Sequence, residues 1–204
     1  MRDVLRRLLA GELTEDEAIA ELRQQQLREL DGRARLDLGR FMRRGIPEVV
    51  LATGKTPAEA ARLTVALAER QGQGLVSRMT DSHRDLLLES ATAAGMRVLD
   101  YGDSARVLRE GFEAEPIGGK VGLLTAGTSD LGVAEEARMV VEACGLETML
   151  AADLGVAGLH RFVGPLAAAL EWGSDVLVVA AGMDGVLPGL VAGLIDVPVI
   201  GLPV

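Results

Sequence analysis

Residues 121–127 read VGLLTAG, and this stretch decides the fold class of the second half of the chain. A continuous apolar run of this length is typical of a parallel strand that is buried on both of its faces. Three later runs repeat the pattern: ETMLAAD at 147–153, DVLVVAAG at 175–182 and PVIGL at 198–202. We expect all four runs to be strands of one sheet.

Helical segments separate these strands. We expect helices over residues 129–143, from about 160 to 171 and from about 185 to 194, and the first of them stops at Gly145. Strands that alternate with helices across short loops form a parallel sheet with right-handed crossovers. Ligands of such sheets bind just outside the carboxyl ends of the strands, so functional residues are expected there.

The first strand end carries the sequence AGTSD at 126–130. Gly127 permits a tight turn. Thr128, Ser129 and Asp130 supply hydroxyl groups and a carboxylate at the start of a helix. Free N–H groups and the helix dipole favour an anion such as phosphate at this position. Ser129 or Asp130 can equally act as no more than the helix cap, because both residue types are preferred there.

The two following strand ends carry further candidates. His160 and Arg161 start a helix after a glycine-rich turn, and a solvated helix start is the alternative interpretation. Asp184 lies between two glycines in the motif GMDG at 182–185, where a carboxylate is well placed to face a ligand. A simple turn is the alternative here. The candidate residues of this motif are Gly182, Met183 and Asp184.

The first half of the chain has its own start signals for helices. Thr14 and Glu17 form a Thr-x-x-Glu capping box ahead of a charged helix that we expect to reach about residue 30. Thr56 and Glu59 repeat the box, with a proline at the first helical position, and open a helix that we expect to reach about residue 70.

Strands are expected around these helices, at 49–52 and 74–79, with one or two more between 97 and 117. A third helix is expected to begin at Thr80 or Asp81 and to end at Gly95. This half is therefore predicted to be a small α/β unit with a helical lead-in, and we expect the chain to divide near residue 118.

Composition and charge exclude several classes of protein. Of the 204 residues, 49% are hydrophobic and 25% are charged, which excludes a disordered or a collagen-like chain. The formal net charge is −9, so a nucleic-acid partner gains no electrostatic attraction. We expect no nucleic-acid partner, because the aromatic residues are too few for a base-stacking platform. They are Phe41, Tyr101, Phe112, Phe162 and Trp172.

The sequence also bears on membrane association, disulfide formation and metal binding. No apolar stretch is long and uninterrupted enough to span a membrane, and the N-terminus lacks an apolar signal core with a cleavage site. We therefore expect a cytoplasmic protein with no membrane partner. The single cysteine, Cys144, cannot form an internal disulfide, and together with two histidines it makes no zinc site at plausible spacing. His83 lies on a polar predicted helix, so we expect it to be solvated.

Several motifs carry a resemblance to a known family. GTSDLGVAEEA at 127–137, HR at 160–161 and AGMDGVLPGLVAGLIDVPVIGLP at 181–203 resemble the PurE-type aminoimidazole-ribotide carboxylase fold. Residues of the first half resemble the Asp-x-x-Arg-x-x-Arg-x-Gly-x-Pro-Glu-Val and Gly-Lys-Thr signatures of the LarB family; they are Asp37, Arg40, Arg43, Gly45, Pro47, Glu48, Val49, Gly54, Lys55 and Thr56. Purine-pathway PurE enzymes lack this long leader, so the resemblance favours LarB.

The resemblance implies an α/β architecture. Residues 118–204 are expected to form a PurE-like, three-layer, Rossmann-like domain with a parallel sheet. Residues 1–117 are expected to form a smaller α/β domain with its helical lead-in. PurE-like folds assemble into higher oligomers, so a homo-oligomer is implied as well.

The resemblance also implies a reaction. LarB-type proteins carboxylate the pyridinium ring of nicotinic acid adenine dinucleotide at ring carbon 5 with carbon dioxide, and they cleave its phosphoanhydride. The products are pyridinium-3,5-biscarboxylic acid mononucleotide and AMP, and the first is built into the nickel pincer cofactor of lactate racemase and related enzymes. Two alternatives stay open. One is a PurE-type carboxyaminoimidazole ribonucleotide mutase, which the first half disfavours, and the other is a non-catalytic nucleotide-binding or scaffold subunit.

The family's chemistry needs a nucleophile and a base. A cysteine of a C-terminal helix adds to the ring as a thiolate, and a glutamate of a Gly-Met-Glu-Gly turn removes the ring proton. Asp184 holds the place of that glutamate here, with a side chain shorter by one methylene, about an ångström. No residue matches the cysteine, because the chain stops at Val204 where the family continues, so we expect a truncated chain whose activity is open. Cys144 is expected to be a buried, inert thiol.

The other site residues implied by the resemblance bind the substrate. They are Gly127, Thr128, Ser129, Asp130, His160, Arg161, Gly182 and Met183, together with Arg40 and Arg43. Arginine forks suit phosphate and carboxylate groups, but the two arginines of the first half can equally form ion pairs with Asp37 and Glu48. No metal site is predicted. Mg²⁺ beside the substrate phosphates is compatible with the sequence, which does not specify it, and no other cofactor is implied.

Overall fold

The N-terminal lead-in is partly helical. The computed structural model describes residues 2–30, 34–182 and 185–204. Helices α1 (Arg2–Leu9) and α2 (Glu15–Gln26) open the chain, and two antiparallel strands follow, β1 (Leu27–Leu30) and β2 (Ala34–Asp37). The helix predicted to reach about residue 30 therefore ends at Gln26. Its expected last turn is a strand, because the backbone of β1 pairs with β2 and such pairing overrides local helix propensity.

A mixed four-stranded sheet, called the N-terminal sheet below, follows the lead-in. Its strands are β3 (Val49–Leu51), β4 (Gln73–Ser77), β5 (Arg97–Tyr101) and β6 (Ser104–Leu108), arranged in the order β3-β4-β6-β5. β3 and β4 are parallel, whereas β6 is antiparallel to both β4 and β5. The strands lie within two residues of the predicted positions, and the strand predicted over 74–79 ends two residues early, at Ser77.

Three helices belong to this part of the chain. α3 (Arg40–Arg44) precedes the sheet, and α4 (Pro57–Gln71) and α5 (Asp81–Ala93) pack against it. Their shared core is aliphatic, with Leu67 and Val76 almost fully buried. Burial of such side chains is the main force that holds the helices on the sheet.

The predicted capping boxes are present. Thr56 Oγ1 accepts a hydrogen bond from the Glu59 N–H at 3.3 Å, and Glu59 Oε2 accepts one from the Thr56 N–H at 3.0 Å. Thr14 and Glu17 make the same reciprocal pair at the start of α2, at 3.3 and 2.8 Å. Each box supplies acceptors for N–H groups that lack a partner within the helix.

The C-terminal sheet contains the four predicted apolar runs. They form β7 (Lys120–Thr125), β8 (Glu147–Ala151), β9 (Val176–Ala181) and β10 (Val199–Pro203). The strands are parallel throughout and lie in the order β10-β9-β7-β8. The predicted parallel sheet is therefore confirmed.

Three helices connect these strands: α6 (Leu131–Ala143), α7 (Leu159–Glu171) and α8 (Val186–Ala192). A 3-10 turn over Thr128–Asp130 precedes α6, so this helix begins two residues later than the pattern predicted. Tight turns of this kind are common at helix ends. Within the described ranges, no helix is long and apolar enough to cross a lipid bilayer.

Helices lie on both faces of the C-terminal sheet. Phe162 of α7 and Leu187 of α8 pack in one buried cluster with strand residues such as Leu177. α6 lies against the other face, and this arrangement gives the predicted three-layer, PurE-like α/β fold. The same helix also packs under the N-terminal sheet, where Met139 clusters with Leu75. α6 is therefore shared by the two sheets.

Candidate functional site

The loops that follow β8, β7 and β9 lie side by side at the carboxyl edge of the C-terminal sheet. The Leu154 N–H donates to the Thr125 carbonyl oxygen at 2.9 Å, and the Ala126 N–H donates to the Ala180 carbonyl oxygen at 2.9 Å. Gly155 sits so close that a Cβ at this position would lie 3.3 Å from the Ala126 carbonyl oxygen. The structure thus brings the described parts of these three loops to one edge of the sheet.

The Gly127–Asp130 loop is organised by its own aspartate. Asp130 is 6% exposed, its Oδ2 accepts from the Gly127 N–H at 2.9 Å, and its Oδ1 accepts from Ser129 Oγ at 3.1 Å. Neither Ser129 nor Asp130 caps α6 with its side chain. Thr128 and Ser129 are exposed. Asp130 therefore shapes the loop from inside, while the two hydroxyl residues face solvent.

His160 and Arg161 lie at the start of α7, and both are exposed. Arg161 Nη1 forms an ion pair with Asp153 Oδ2 at 3.1 Å. Asp153 has a φ of 62°, a left-handed conformation that side chains with a Cβ seldom adopt. A strained residue at a strand end is a feature often found at functional sites, so this pair is part of the candidate edge.

The GMDG motif is only partly within the described residues. Gly182 follows β9, and a Cβ there would lie 3.5 Å from the Val204 carbonyl oxygen. Gly182 and Gly185 line a cleft of about 430 Å³ together with the end of β10. Met183 and Asp184 lie outside the described residues. The role of Asp184 as the base therefore stays a prediction.

A second, wider cleft of about 1020 Å³ adjoins the first. Leu202, Pro203 and Val204 line both clefts, so the two meet at the end of β10. Its other walls come from Ser129 and the following turns of α6, and from Arg78, Met79 and Asp103 of the N-terminal sheet. A volume of this order suits a ligand of dinucleotide size, since typical ligand pockets measure about 300–1,000 Å³.

Sequence reasoning missed the contribution of the N-terminal sheet to this cleft. Arg78 directly follows β4, and it was assigned to a predicted strand rather than to a strand end. The other candidates were found by a rule that selects polar residues at the carboxyl ends of strands. The same rule identifies Arg78 once β4 is known to end at Ser77.

Arg40 and Arg43 lie elsewhere. Arg43 Nη2 forms an ion pair with Asp37 Oδ2 at 2.5 Å, and Asp37 donates its N–H to Glu48 Oε2 at 2.6 Å. The ion-pair alternative is therefore realised for Arg43. Burial raises the pKa of Glu48, although the N–H of Asp37 and the charge of Arg40 oppose that shift.

The length of α6 separates these arginines from the strand-end loops, because the two groups lie at opposite ends of this helix. Gly45, which ends α3, accepts a hydrogen bond from Cys144 Sγ at 3.4 Å, and Cys144 is the C-cap of α6. Asp130 lies at the opposite end of this helix of 13 residues, about 20 Å away at 1.5 Å per residue. Within one chain, the structure does not bring Arg40 and Arg43 to the strand-end loops.

Cys144 is half-buried rather than buried as expected. Together with Leu38, Phe41 and Phe112 it lines an apolar cavity of about 430 Å³ at the C-terminal end of α6. Burial raises the pKa of the thiol, and the charge of Arg106 only partly offsets this effect. A raised pKa disfavours the thiolate, which is the reactive form of cysteine.

His83 is not solvated, contrary to the sequence prediction. It is 8% exposed, its Nδ1 lies 2.7 Å from Thr80 Oγ1 and 3.3 Å from the Thr80 backbone nitrogen, and its Nε2 lies 3.0 Å from the Lys55 carbonyl oxygen. The ring occupies the third helical position of α5, where a glutamate or glutamine commonly completes a capping box. It ties the loop after β3 to the loop after β4.

A polar network fixes α6 between the two sheets. Glu142 of α6 accepts hydrogen bonds from Tyr101 Oη at 2.6 Å, Thr148 Oγ1 at 2.6 Å and Arg138 Nε at 2.8 Å. Burial works against ionisation of Glu142, but these three donors together outweigh it and lower the pKa of the carboxyl. The carboxylate thus joins the N-terminal sheet, α6 and β8.

A second set of contacts supports the same junction. Gln73 donates its Nε2 to the Ala143 carbonyl oxygen at 2.9 Å and accepts a hydrogen bond from Arg106 Nε at 2.7 Å. Arg106 is 6% exposed, and burial lowers its pKa. In the part of the chain that the structure describes, no group of three or more His, Cys, Asp or Glu side chains is placed to hold a metal ion.

Comparisons with known proteins agree with this geometry. A family model described as LarB/PurE-like N-terminal domain matches residues 27–111, and one described as AIR carboxylase matches residues 120–204. The uncharacterized protein MJ0165 of Methanocaldococcus jannaschii is 34% identical over 206 residues, a match that covers 100% of this chain and 80% of that protein. The fold and the AIR carboxylase match thus define a PurE-like α/β protein of the carboxylase class. The chain belongs to the LarB family.

Proposed function

We propose that this protein carboxylates the pyridinium ring of nicotinic acid adenine dinucleotide and cleaves its phosphoanhydride, as a step in nickel pincer cofactor synthesis. One molecule of carbon dioxide and one of water are consumed, and the products are pyridinium-3,5-biscarboxylic acid mononucleotide, AMP and a proton. The observation that supports this proposal best is the succession of a LarB-type N-terminal domain and an AIR carboxylase domain in one chain, with a cleft lined by both.

The carboxylation needs more than a bound substrate. A pyridinium ring is electron-poor and does not attack carbon dioxide, so a nucleophile must first add to it and make a ring carbon electron-rich. After the new carbon–carbon bond forms, a base removes the ring proton and the nucleophile leaves. We propose Asp184 as that base. We assign no residue of this chain to the nucleophilic step.

Cys144 is a poor candidate for the nucleophile on structural grounds. It lies at the far end of α6 from the strand-end loops, it is half-buried, and burial raises the pKa of its thiol. A thiol that attacks a ring must approach within bonding distance, and an offset of about 20 Å, the length of α6, prevents this within one chain.

Substrate binding is assigned to the strand-end loops. We propose that Thr128 and Ser129, which are both exposed before α6, donate hydroxyl hydrogen bonds to a phosphate group. Ser129 would have to exchange its present hydrogen bond to Asp130 Oδ1 for one to the phosphate. Asp130 holds their loop in shape through the Gly127 N–H. His160, Arg161, Gly182 and Met183 complete the proposed contacts. Arg40 and Arg43 are proposed substrate contacts only if a neighbouring copy of the chain brings them to this edge.

A homo-oligomer is part of the proposal. Three apolar side chains are largely exposed on α8, the turn after it and β10: Val186 at 52%, Leu194 at 61% and Ile200 at 54%. Because α8 contacts β10, these exposed side chains belong to neighbouring elements, and exposed apolar surface of this kind favours association of subunits. Sedimentation-velocity ultracentrifugation of the purified chain tests this directly, with a species larger than 21.5 kDa expected and a monomer at all concentrations contradicting it.

The reaction is tested by mass spectrometry of the products. The protein is incubated with nicotinic acid adenine dinucleotide and ¹³C-labelled bicarbonate, and we expect AMP together with a mononucleotide that carries one labelled carboxyl group. Heat-denatured protein and a reaction purged of carbon dioxide are the controls. Retention of a deuterium atom placed at ring carbon 5 in an AMP-releasing reaction would contradict carboxylation at that carbon.

The same assay distinguishes the proposed reaction from a PurE-type mutase activity. The AIR carboxylase match is what favours a PurE-type mutase, so carboxyaminoimidazole ribonucleotide is offered as the second substrate. Turnover of that ribonucleotide without release of AMP from the dinucleotide would replace the proposed function. Binding of the dinucleotide with neither product would instead support a non-catalytic nucleotide-binding subunit.

A further inference from the structure

Arg78 stands out among the residues that line the wider cleft. It directly follows β4, its side chain is exposed, and it shares the cleft with Ser129 and the end of β10. The N-terminal half contributes Arg78, Met79 and Asp103 to the lining of this cleft, and the loop proposed to bind phosphate contributes Ser129. Arg78 is thus a cation in the same cleft as that loop.

The backbone at Arg78 is in a conformation that its residue type disfavours. Its φ is 56°, in the left-handed region that glycine adopts readily and a residue with a Cβ does not. The neighbouring backbone is fixed on both sides, because the Ala52 N–H donates to the Ser77 carbonyl oxygen at 2.9 Å and the Met79 N–H donates to the Asp103 carbonyl oxygen at 2.7 Å. Packing does not account for the choice of arginine, since the side chain is exposed.

The guanidinium of Arg78 is also without a partner among the described residues. Its side chain makes no hydrogen bond or ion pair with any residue that the structure describes. Two carboxylates, Asp103 and Glu136, line the same cleft, and neither pairs with Arg78. In a chain of net charge −9, an unpaired arginine held at a strained position in a cleft has the properties of a group kept for an anionic ligand.

We infer that Arg78 is a substrate-binding residue that grips the pyrophosphate of the dinucleotide from the side of the N-terminal sheet. This inference rests on the proposed function for the identity of the ligand. The planar guanidinium fork suits two phosphate oxygens at once. Asp103 and Glu136 suit the ribose hydroxyls that flank a pyrophosphate, because carboxylates accept hydrogen bonds from such hydroxyls.

The test compares two single variants with the wild-type protein. Arg78→Asn removes the cation but keeps a residue type that tolerates the left-handed backbone. Arg97→Gln is the matched control, because it removes an exposed arginine at the other end of the same sheet, where Arg97 and Gln73 both pair with Leu108. Titration calorimetry with the dinucleotide is expected to show at least a tenfold loss of affinity for the first variant and less than a twofold change for the second.

A stability measurement separates binding from a structural role. Arg78→Gly relieves the backbone strain, so we expect its melting temperature to rise by about 2 to 4 °C while its affinity falls as in Arg78→Asn. A residue that merely supports the fold does not give this opposite pair of changes. Wild-type affinity in Arg78→Gly would overturn the inference, whatever its melting temperature.

Inorganic pyrophosphate distinguishes failure of the inference from failure of the proposed function. We expect the wild-type protein to bind it at least tenfold more tightly than Arg78→Asn does. If the wild type releases AMP from the dinucleotide but pyrophosphate binds both proteins equally or binds neither, the inference falls and the proposed function stands. If the affinity ratio is found without any turnover of the dinucleotide, the anion site stands and the proposed reaction falls.

Discussion

The hydroxyl group of Tyr101 donates a hydrogen bond of 2.6 Å to Glu142 Oε2, and this contact joins the N-terminal sheet to the helix that packs on the C-terminal sheet. Tyr101 is 3% exposed, and its ring also packs against Arg138, whose guanidinium carbon lies 5.6 Å from the ring centre. A hydrogen bond to a carboxylate shielded from solvent is stronger than one between neutral groups. The relative position of the two sheets, and hence the shape of the cleft, depends on this contact.

Removal of the Tyr101 hydroxyl is expected to destabilise the protein. Tyr101→Phe should lower the free energy of unfolding by about 2 kcal/mol, because hydrogen bonds to charged groups are worth about 1.5–3 kcal/mol. Urea unfolding measures this change. In a double-mutant cycle with Glu142→Gln, the two effects should not be additive, and additive effects would show that the contact carries no coupling energy.

The same hydroxyl gives a pH signature. Burial, and then the hydrogen bond and charge of Glu142, raise the pKa of Tyr101 to about 12. Because the unfolded-state pKa is about 10, the stabilisation is fully present below pH 10 and is lost as the pH rises toward 12. Unfolding curves between pH 9 and 12 should therefore show a steeper loss of stability for the wild type than for Tyr101→Phe. Parallel curves for the two proteins would contradict the raised pKa.

Asp130 is expected to affect binding through the loop that it holds. Asp130→Ala removes the acceptor for the Gly127 N–H and should weaken dinucleotide binding about tenfold, which corresponds to about 1.4 kcal/mol. Hydrogen exchange at Gly127 should accelerate in parallel. Asp130→Asn keeps one carbonyl acceptor and should lie between the wild type and the alanine variant. Unchanged affinity in Asp130→Ala would remove this loop from the site.

Asp184 is expected to matter for chemistry more than for binding. Asp184→Asn should lower ¹³C incorporation by about 10²-fold or more, the usual contribution of a general base, and change dinucleotide affinity by less than about threefold. Asp184→Glu restores the side-chain length of the family's turn and is the conservative control, with activity retained. Full turnover by Asp184→Asn would exclude this residue as the base.

Cys144 is expected to be dispensable and slow to react. Cys144→Ala should bind the dinucleotide as the wild type does, because the thiol lies at the far end of α6 from the cleft. With a disulfide reagent, the wild-type thiol should react more slowly at pH 7 than in the protein unfolded by guanidinium, since burial raises its pKa. Loss of AMP release in a folded Cys144→Ala protein would contradict this and identify Cys144 as a reactive group.

The sequence was sufficient for the elements whose pattern is local. The four apolar runs, the reciprocal capping of Thr56 and Glu59, and the loop residues Gly127–Asp130 at a strand end all follow from short-range rules, and the structure has them there. The LarB-like signatures of the first half and the PurE-like motifs of the second half together predicted the family.

Other features depend on contacts that no local pattern records. The buried His83 ring contacts the carbonyl oxygen of Lys55, which lies 28 positions earlier in the chain. The strand at Leu27–Leu30 forms because its backbone pairs with β2. The placement of Arg43 at the far end of α6 and the exposure of Arg78 in the cleft are consequences of how α6 packs between two sheets. The positive φ of Arg78 could not be predicted either, because sequence rules associate this conformation with glycine.

The position of α6 also has a consequence for how the chain is made. The N-terminal sheet is complete at Leu108, but the helix that covers Leu75 and Tyr101 begins only at Leu131. During translation, at about 5–20 residues per second, that sheet leaves the ribosome with an apolar face still open to water. Until α6 emerges and packs on it, this apolar face of the nascent protein is a surface that a chaperone can bind.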